Sequence, residues 1–247
     1  MRRFFCDPAN IKDKAILLTD KDELHHMCDV IRLKPDDRIT VLDGQGGKYF
    51  CKILQLGKDK ARLEIFDEQH YSANDVETKL TVACALLKKD KMHFIVEKLT
   101  EVGVERIILI ATERTTIKPK DIAQWIEKLK KVSLEAMKQS GTLFSSRIDS
   151  MEFSELLTIA KSFDIALLPN LAEDSITIRA VLNKFLRGNI LAAIGPEGDF
   201  SAREIEQAKN AGFISVSLGE TVLKAETAAI VVAGFVRLRT LLVGKGA

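Results

Sequence analysis

The chain has 247 residues, 46% apolar, 29% charged and 6% aromatic, with a formal net charge of +2. That is enough for one large domain or two modest ones, and the composition carries no disorder signature. Charge interrupts every apolar run well before a bilayer could be spanned and no leader pattern stands at the start, so a soluble cytoplasmic protein with no membrane partner is expected.

Cys6, Cys28, Cys51 and Cys84 are scattered, with no C-x-x-C pair and no histidine cluster nearby. This argues against a disulfide framework or a metal site and for buried free thiols. Residues 1–72 balance 13 Lys/Arg with 13 Asp/Glu, whereas residues 79–140 carry 13 against 8. The excess, around Lys88-Lys89-Asp90-Lys91, Arg114, Lys118, Lys120 and 128–131, is the footprint a polyanion would need, and also what a solvated helix face looks like.

In chain order, residues 2–6, 15–19, 38–42, 48–56 and 61–66 read as short β-strands separated by turn signals such as Asp43-Gly44 and Gly46-Gly47. Residues 22–32 form the one helical pattern among them. A small β-barrel or sandwich with one helix is predicted for residues 1–72, followed by a polar linker over 70–77. The pair His25-His26 falls in that helix, where neighbours point about 100° apart, so surface or capping roles suit it better than a shared metal.

From residue 73 to 247, strands alternate with helices. Strands are predicted at 80–86, 106–111, 164–168, 190–194 and 214–218; helices at 91–102, 121–139, 153–160, 175–186, 201–211 and from about 225. The strands are uniformly apolar, as in a parallel α/β sheet covered on both faces. Trp125 reads as a core or interface anchor, although stacking on a base is also open to it. The last helix is apolar nearly all round through 228–236, so it is buried in a core or between subunits.

In an open α/β sheet, ligands lie beyond the carboxyl ends of the strands. Three strand ends carry unusual loops here: Leu167-Leu168-Pro169-Asn170, Ile194-Gly195-Pro196-Glu197-Gly198 and Ser217-Leu218-Gly219-Glu220. Their glycines permit close backbone approach. Ser201 and Glu204 have capping-box spacing, which fixes the start of the next helix. No G-x-G-x-x-G follows a strand and no P-loop motif occurs, which disfavours dinucleotides and nucleoside triphosphates.

Residues 194–201, IGPEGDFS, followed by 217–228, SLGETVLKAETA, resemble the RsmE family of 16S ribosomal RNA uridine N3-methyltransferases within the SPOUT superfamily. The opening MRRFF, VEKLTEVGV at 96–104, ERTTIK at 113–118 and EAMKQSG at 135–141 are similar to further family blocks in the same order. The resemblance implies an N-terminal PUA-like β-barrel that binds RNA. It also implies a C-terminal SPOUT-type α/β domain with a trefoil knot, S-adenosylmethionine as methyl donor, a homodimer, and 16S ribosomal RNA or the small ribosomal subunit as partner. Carried over residue by residue, Leu168, Pro169, Gly195, Pro196, Glu197, Gly198, Leu218, Gly219 and Leu223 would line the cofactor pocket. Arg2, Arg3, Arg32, Arg114 and Lys118 would meet RNA. Two family arginines are absent: Lys224 stands at one and Thr142 at the other.

The imide N3 of uridine is protonated at neutral pH, so methylation needs a base or a cation that stabilises the anion. Glu226 is the candidate for the base or for orienting the imide, and Lys224 and Arg114 are candidates for holding the anion or a phosphate; as a carboxylate in the first turn of a helix, Glu226 would also be favoured by the dipole alone. A related methyltransferase with another target base, or a non-catalytic RNA-binding assembly factor, remains open to the same residues.

Overall fold

The computed structural model describes residues 2–73, 78–117, 119–172, 174–185 and 187–243, and the chain divides into two compact units. The first comprises residues 1–75 and 134–145; the second comprises 76–133 and 146–247.

The first unit is built on a six-stranded sheet in the order β1-β4-β5-β6-β3-β2, with β1 (Arg3–Phe5) parallel to β4 (Arg38–Leu42) and the other pairs antiparallel. In the long strands β5 (Gly47–Leu56) and β6 (Ala61–His70), buried and open positions alternate as a half-covered sheet requires. Register shifts beside Phe50 and Ile53 bend the pair. β2 (Ile11–Lys12) and β3 (Ala15–Leu18) close the other edge.

Phe4, Ile16, Leu18, Ile39, Val41, Cys51, Ile53 and Leu63 meet Leu24 and Met27 in one core. Each such aliphatic residue contributes about 1.5–3 kcal/mol. The helix expected at 22–32 begins where Asp20 caps the amide of Glu23, runs regularly over Lys21–His25 as α1, widens into a π-turn over His26–Val30, and stops before Arg32, whose φ is +60°. The expected linker at 70–77 starts later, because His70 still pairs with Gly47; residues 74–77 lie outside the described residues.

The second unit is a seven-stranded, wholly parallel sheet in the order β11-β13-β10-β12-β7-β8-β9. Its strands are β7 (Thr78–Ala85), β8 (Arg106–Ala111), β9 (Arg147–Glu152), β10 (Ile165–Pro169), β11 (Ile176–Thr177), β12 (Gly188–Ile194) and β13 (Phe213–Ser217). Side chains alternate between two cores. Val82, Cys84, Ile107, Leu109, Leu167 and Ala192 face α2 (Lys89–Glu101), α3 (Ile122–Ser140), α5 (Ile178–Leu182) and α7 (Ala225–Val243). Ala83, Ile108, Ile110, Leu168 and Leu191 face α4 (Phe153–Ile159) and α6 (Ala202–Asn210).

Trp125 is buried in the first of these cores. Two elements differ from the sequence reading. β9 is absent from it, and the helix expected at 175–186 is shortened to five residues because Ile176 and Thr177 pair with β13 and Thr177 then caps the helix. The four cysteines are free thiols, and burial pushes those of Cys6, Cys51 and Cys84 up to about 12.

Candidate active site

β13, β10 and β12 are adjacent and parallel, so their carboxyl ends leave the sheet side by side. The loops that follow enclose a cavity of about 290 Å³ with the start of α7. Eight residues expected at the cofactor line it: Pro169, Gly195, Pro196, Glu197, Gly198, Leu218, Gly219 and Leu223. Leu168 does not. Its side chain is fully buried on the opposite face of the sheet with Phe153 and Phe200, a consequence of the two-residue period of β10.

Each wall is fixed from within. Asn170, almost buried, bonds the hydroxyl of Ser215 through Nδ2 and takes the amide of Ala172 on Oδ1. In the central loop, the Asp199 amide donates to the Pro196 carbonyl, closing a turn over Glu197 and Gly198, and Asp199 itself has a φ of +60°. Its carboxylate takes the amides of Phe200 and Leu171, tying two loops together. The capping box forms as the spacing predicts, with reciprocal bonds between Ser201 and Glu204. Glu204 also accepts the amide of Glu113 from the segment after β8. On the third loop, the Ser217 hydroxyl bonds both the carbonyl and the amide of Gly219.

The glycines serve different ends. A Cβ on Gly195 would stand 3.1 Å from the Phe200 ring and 3.2 Å from Asp199, so this glycine admits the loop's own packing. Gly219 has a φ of +137°, which only glycine adopts without strain, and no heavy atom lies within 4 Å of the direction a Cβ would take. Leu171 and Val222, 64% and 75% exposed, complete the rim. A mouth with exposed apolar side chains, bare backbone and the carboxylates of Glu197 and Asp199 fits a flat heterocycle joined to a cationic centre.

Glu226 is not among the lining residues. Its carboxylate turns toward α2, where Oε1 lies 3.6 Å from Lys91 Nζ, while Oε2 is shielded from solvent without a hydrogen-bond partner among the described residues. The same ammonium lies 2.6 Å from Glu197. That hydrogen bond holds the Glu197 carboxyl below its usual range and pushes the Lys91 ammonium up. Lys91 is the site residue that sequence reasoning missed, since in the sequence it is one more cation in a basic run. Lys224 is exposed on the last residue before α7.

Arg114 engages the carbonyls of Gly198 and Phe200 through Nη1 and so braces the central loop. In the first unit, Arg2 and Arg32 are exposed, whereas Arg3 bonds the carbonyls of Lys138 and Gln139 and caps the end of α3. Lys118 lies outside the described residues. Among the described residues no cluster of His, Cys, Asp and Glu is placed to hold a metal, and no helix is long and apolar enough to cross a membrane.

Residues 74–237 match the model of an RNA methyltransferase domain, and residues 18–66 that of an RNA methyltransferase PUA domain. The chain is 31% identical over 230 residues to the ribosomal RNA small subunit methyltransferase E of Synechocystis sp., covering 92% of this chain and 74% of that one. It belongs to the ribosomal RNA small subunit methyltransferase E family. The family member of Rickettsia conorii is 27% identical over 239 residues, covering 96% and 95% of the two chains. The crystal structure of the family member from Neisseria gonorrhoeae, bound to S-adenosyl methionine, shares the fold with a TM-score of 0.81 at 24% identity, over 96% of this chain and 97% of that one.

Proposed function

We propose that this chain methylates N3 of a uridine in small-subunit 16S ribosomal RNA with S-adenosylmethionine, acting as a homodimer. The observation that carries the reading is the convergence of three glycine-bearing or proline-bearing loops, at neighbouring strand exits, on one cavity. Bound there, S-adenosylmethionine supplies a methyl group already activated by its sulfonium.

The protein's part is then position and proton management. Main chain at Pro169, Gly195 to Gly198 and Leu218 to Gly219 holds the donor, and the cavity's two carboxylates favour its positive charge. As the N–CH₃ bond forms and the S–CH₃ bond breaks, the N3 proton must leave. Glu226, with Oε1 3.6 Å from the Lys91 ammonium and Oε2 without a hydrogen-bond partner among the described residues, is the proposed acceptor. Lys224, two residues earlier and exposed, is proposed to hold the imide anion or a phosphate. Arg2, Arg32 and Lys118 are proposed RNA contacts, with Arg114 and Arg3 acting first as braces.

The entry of β12 and β13 on either side of β10 supports reading the 195–200 and 218–224 loops as the threaded part of a knot. The dimer is supported by α7, where Thr227, Val231, Gly234 and Leu238 recur at spacings of four, three and four and leave Val231 and Leu238 exposed at 38% and 65%. Calorimetry with S-adenosylmethionine, followed by mass mapping of unmethylated small subunits after incubation, tests the reaction. Saturable binding and one new methyl on a uridine base are expected; absence of cofactor binding by a dimeric sample would overturn the reading. A Val231→Arg variant should sediment as a monomer.

A further inference from the structure

A second cavity, of about 230 Å³, adjoins the first at the exit of β7, the strand that pairs with β12 on the side away from β10. The two share one wall, the loop Pro196-Glu197-Gly198. Beyond that wall the lining comes from Leu86, Leu87, Lys88, Arg114, Thr116 and Ile117. We propose that this cavity receives the methyl-accepting nucleotide, with the base on the apolar floor and its phosphate between Lys88 and Arg114. The inference rests on the methyltransferase reading given above.

Three observations carry it. First, the floor is apolar and firm: Leu86 and Leu87 are 7% and 4% exposed, and Ile117 is half-buried beside them. That is a surface for the face of a base, with the exposed Thr116 hydroxyl able to donate to or accept from its edge.

Second, beyond the wall shared with Glu197 the charge is positive and uncommitted. Lys91 is neutralised by Glu197 and Glu226, but Lys88, exposed three residues earlier, has no ion-pair partner among the described residues. Arg114 spends Nη1 on the Gly198 and Phe200 carbonyls, which fixes the guanidinium and leaves its other donors for an anion. Two cations repel a sulfonium and attract a phosphate, so the cavities are chemically complementary. Third, the cavity meets the donor cavity along one short loop, Pro196-Glu197-Gly198, so its occupant would be a neighbour of the donor.

The test uses the full-length protein with Lys88→Ala and Ile117→Trp, the second filling the floor. S-adenosylmethionine affinity is measured by calorimetry, and affinity for unmethylated small-subunit ribosomal RNA is measured across a salt series. Both variants should keep cofactor affinity within about twofold of the original. Each should bind RNA about tenfold more weakly, and Lys88→Ala should also lower the salt slope by about 1. Unchanged RNA affinity and slope in both variants would overturn the proposal, as would loss of cofactor binding in Lys88→Ala, which would hand the cavity to the donor. Failure of the unmodified protein to bind cofactor would strike the methyltransferase reading instead, and the RNA comparison would still decide this one.

Discussion

Lys91, on the first turn of α2, places its ammonium 2.6 Å from the Glu197 carboxylate in the loop after β12, and the same group lies 3.6 Å from Glu226 at the start of α7. One cation thus ties a cavity wall to two helix starts. Lys91→Met should weaken S-adenosylmethionine binding about tenfold while moving the melting temperature little, because the Lys91–Glu197 pair is partly in water. Combined with Glu197→Gln the effect should be less than additive, since both changes remove one interaction.

The pH dependence has a definite sign. The folded Glu197 carboxyl lies below its ordinary 4.5, so its contribution is full above that value and is lost as pH falls through the lower, folded value. Lys91 lies above its ordinary 10.5 and keeps its contribution until pH rises through the higher, folded value. Cofactor affinity should therefore be flat from pH 6 to 9 as far as this pair is concerned. A step near neutrality that vanishes in Lys91→Met would contradict the assignment.

Gly195 and Gly219 should fail in different ways when replaced by valine. At Gly195 the new side chain meets Phe200, whose ring packs 5.5 Å from that of Phe153, so both cofactor affinity and thermal stability should fall. At Gly219 nothing crowds the new atom, and the strain is in a φ of +137°, a cost of roughly 1–3 kcal/mol confined to one loop. Cofactor binding should be lost there with a smaller fall in melting temperature than in Gly195→Val. Equal destabilisation of the two variants would show that the loop after β13 is not separable from the core.

These contrasts also mark what could be read in the chain beforehand. The β8 span 106–111 and the start of α7 at Ala225 came directly from apolar runs and flanking turn residues. So did the three loops, because glycine and proline at strand exits announce themselves. β9 escaped because its sequence, RIDSME, lies at the sheet edge with alternating exposure and too few apolar residues to stand out. Leu168 was misplaced because the face a residue occupies depends on strand register, which the resemblance could not supply. Lys91 was hidden for another reason: its partners lie more than a hundred residues away, and nothing local distinguishes it from Lys88 or Lys89.

Glu226→Gln separates chemistry from binding. The amide keeps the size of the side chain and its contact with α2 but cannot take a proton, so the methyl-transfer rate should fall by 10²-fold or more, the range of a lost general base. S-adenosylmethionine affinity should change by less than threefold. The decisive comparison is single-turnover rate against calorimetric affinity on one preparation. An unchanged rate would leave Glu226 as a carboxylate that only steadies Lys91 and the start of α7.

The first unit offers a test of its own. Lys138, near the end of α3, bonds Glu23 of α1, and the two side chains are only 7% and 6% exposed. Lys138 also meets the exposed Glu135 at 2.6 Å. Removing one member of a buried pair leaves the other charge without compensation, which costs about 3–5 kcal/mol, whereas removing both can be nearly neutral. Lys138→Met should therefore lower the unfolding temperature of this unit sharply, and Glu23→Leu combined with Lys138→Met should recover most of the loss. The transition should be followed through hydrogen exchange of amides in β5 and β6, which report on this unit alone, rather than through whole-chain calorimetry. If the single variant protects those amides as well as the original does, the buried pair contributes nothing to holding α1 and the end of α3 together.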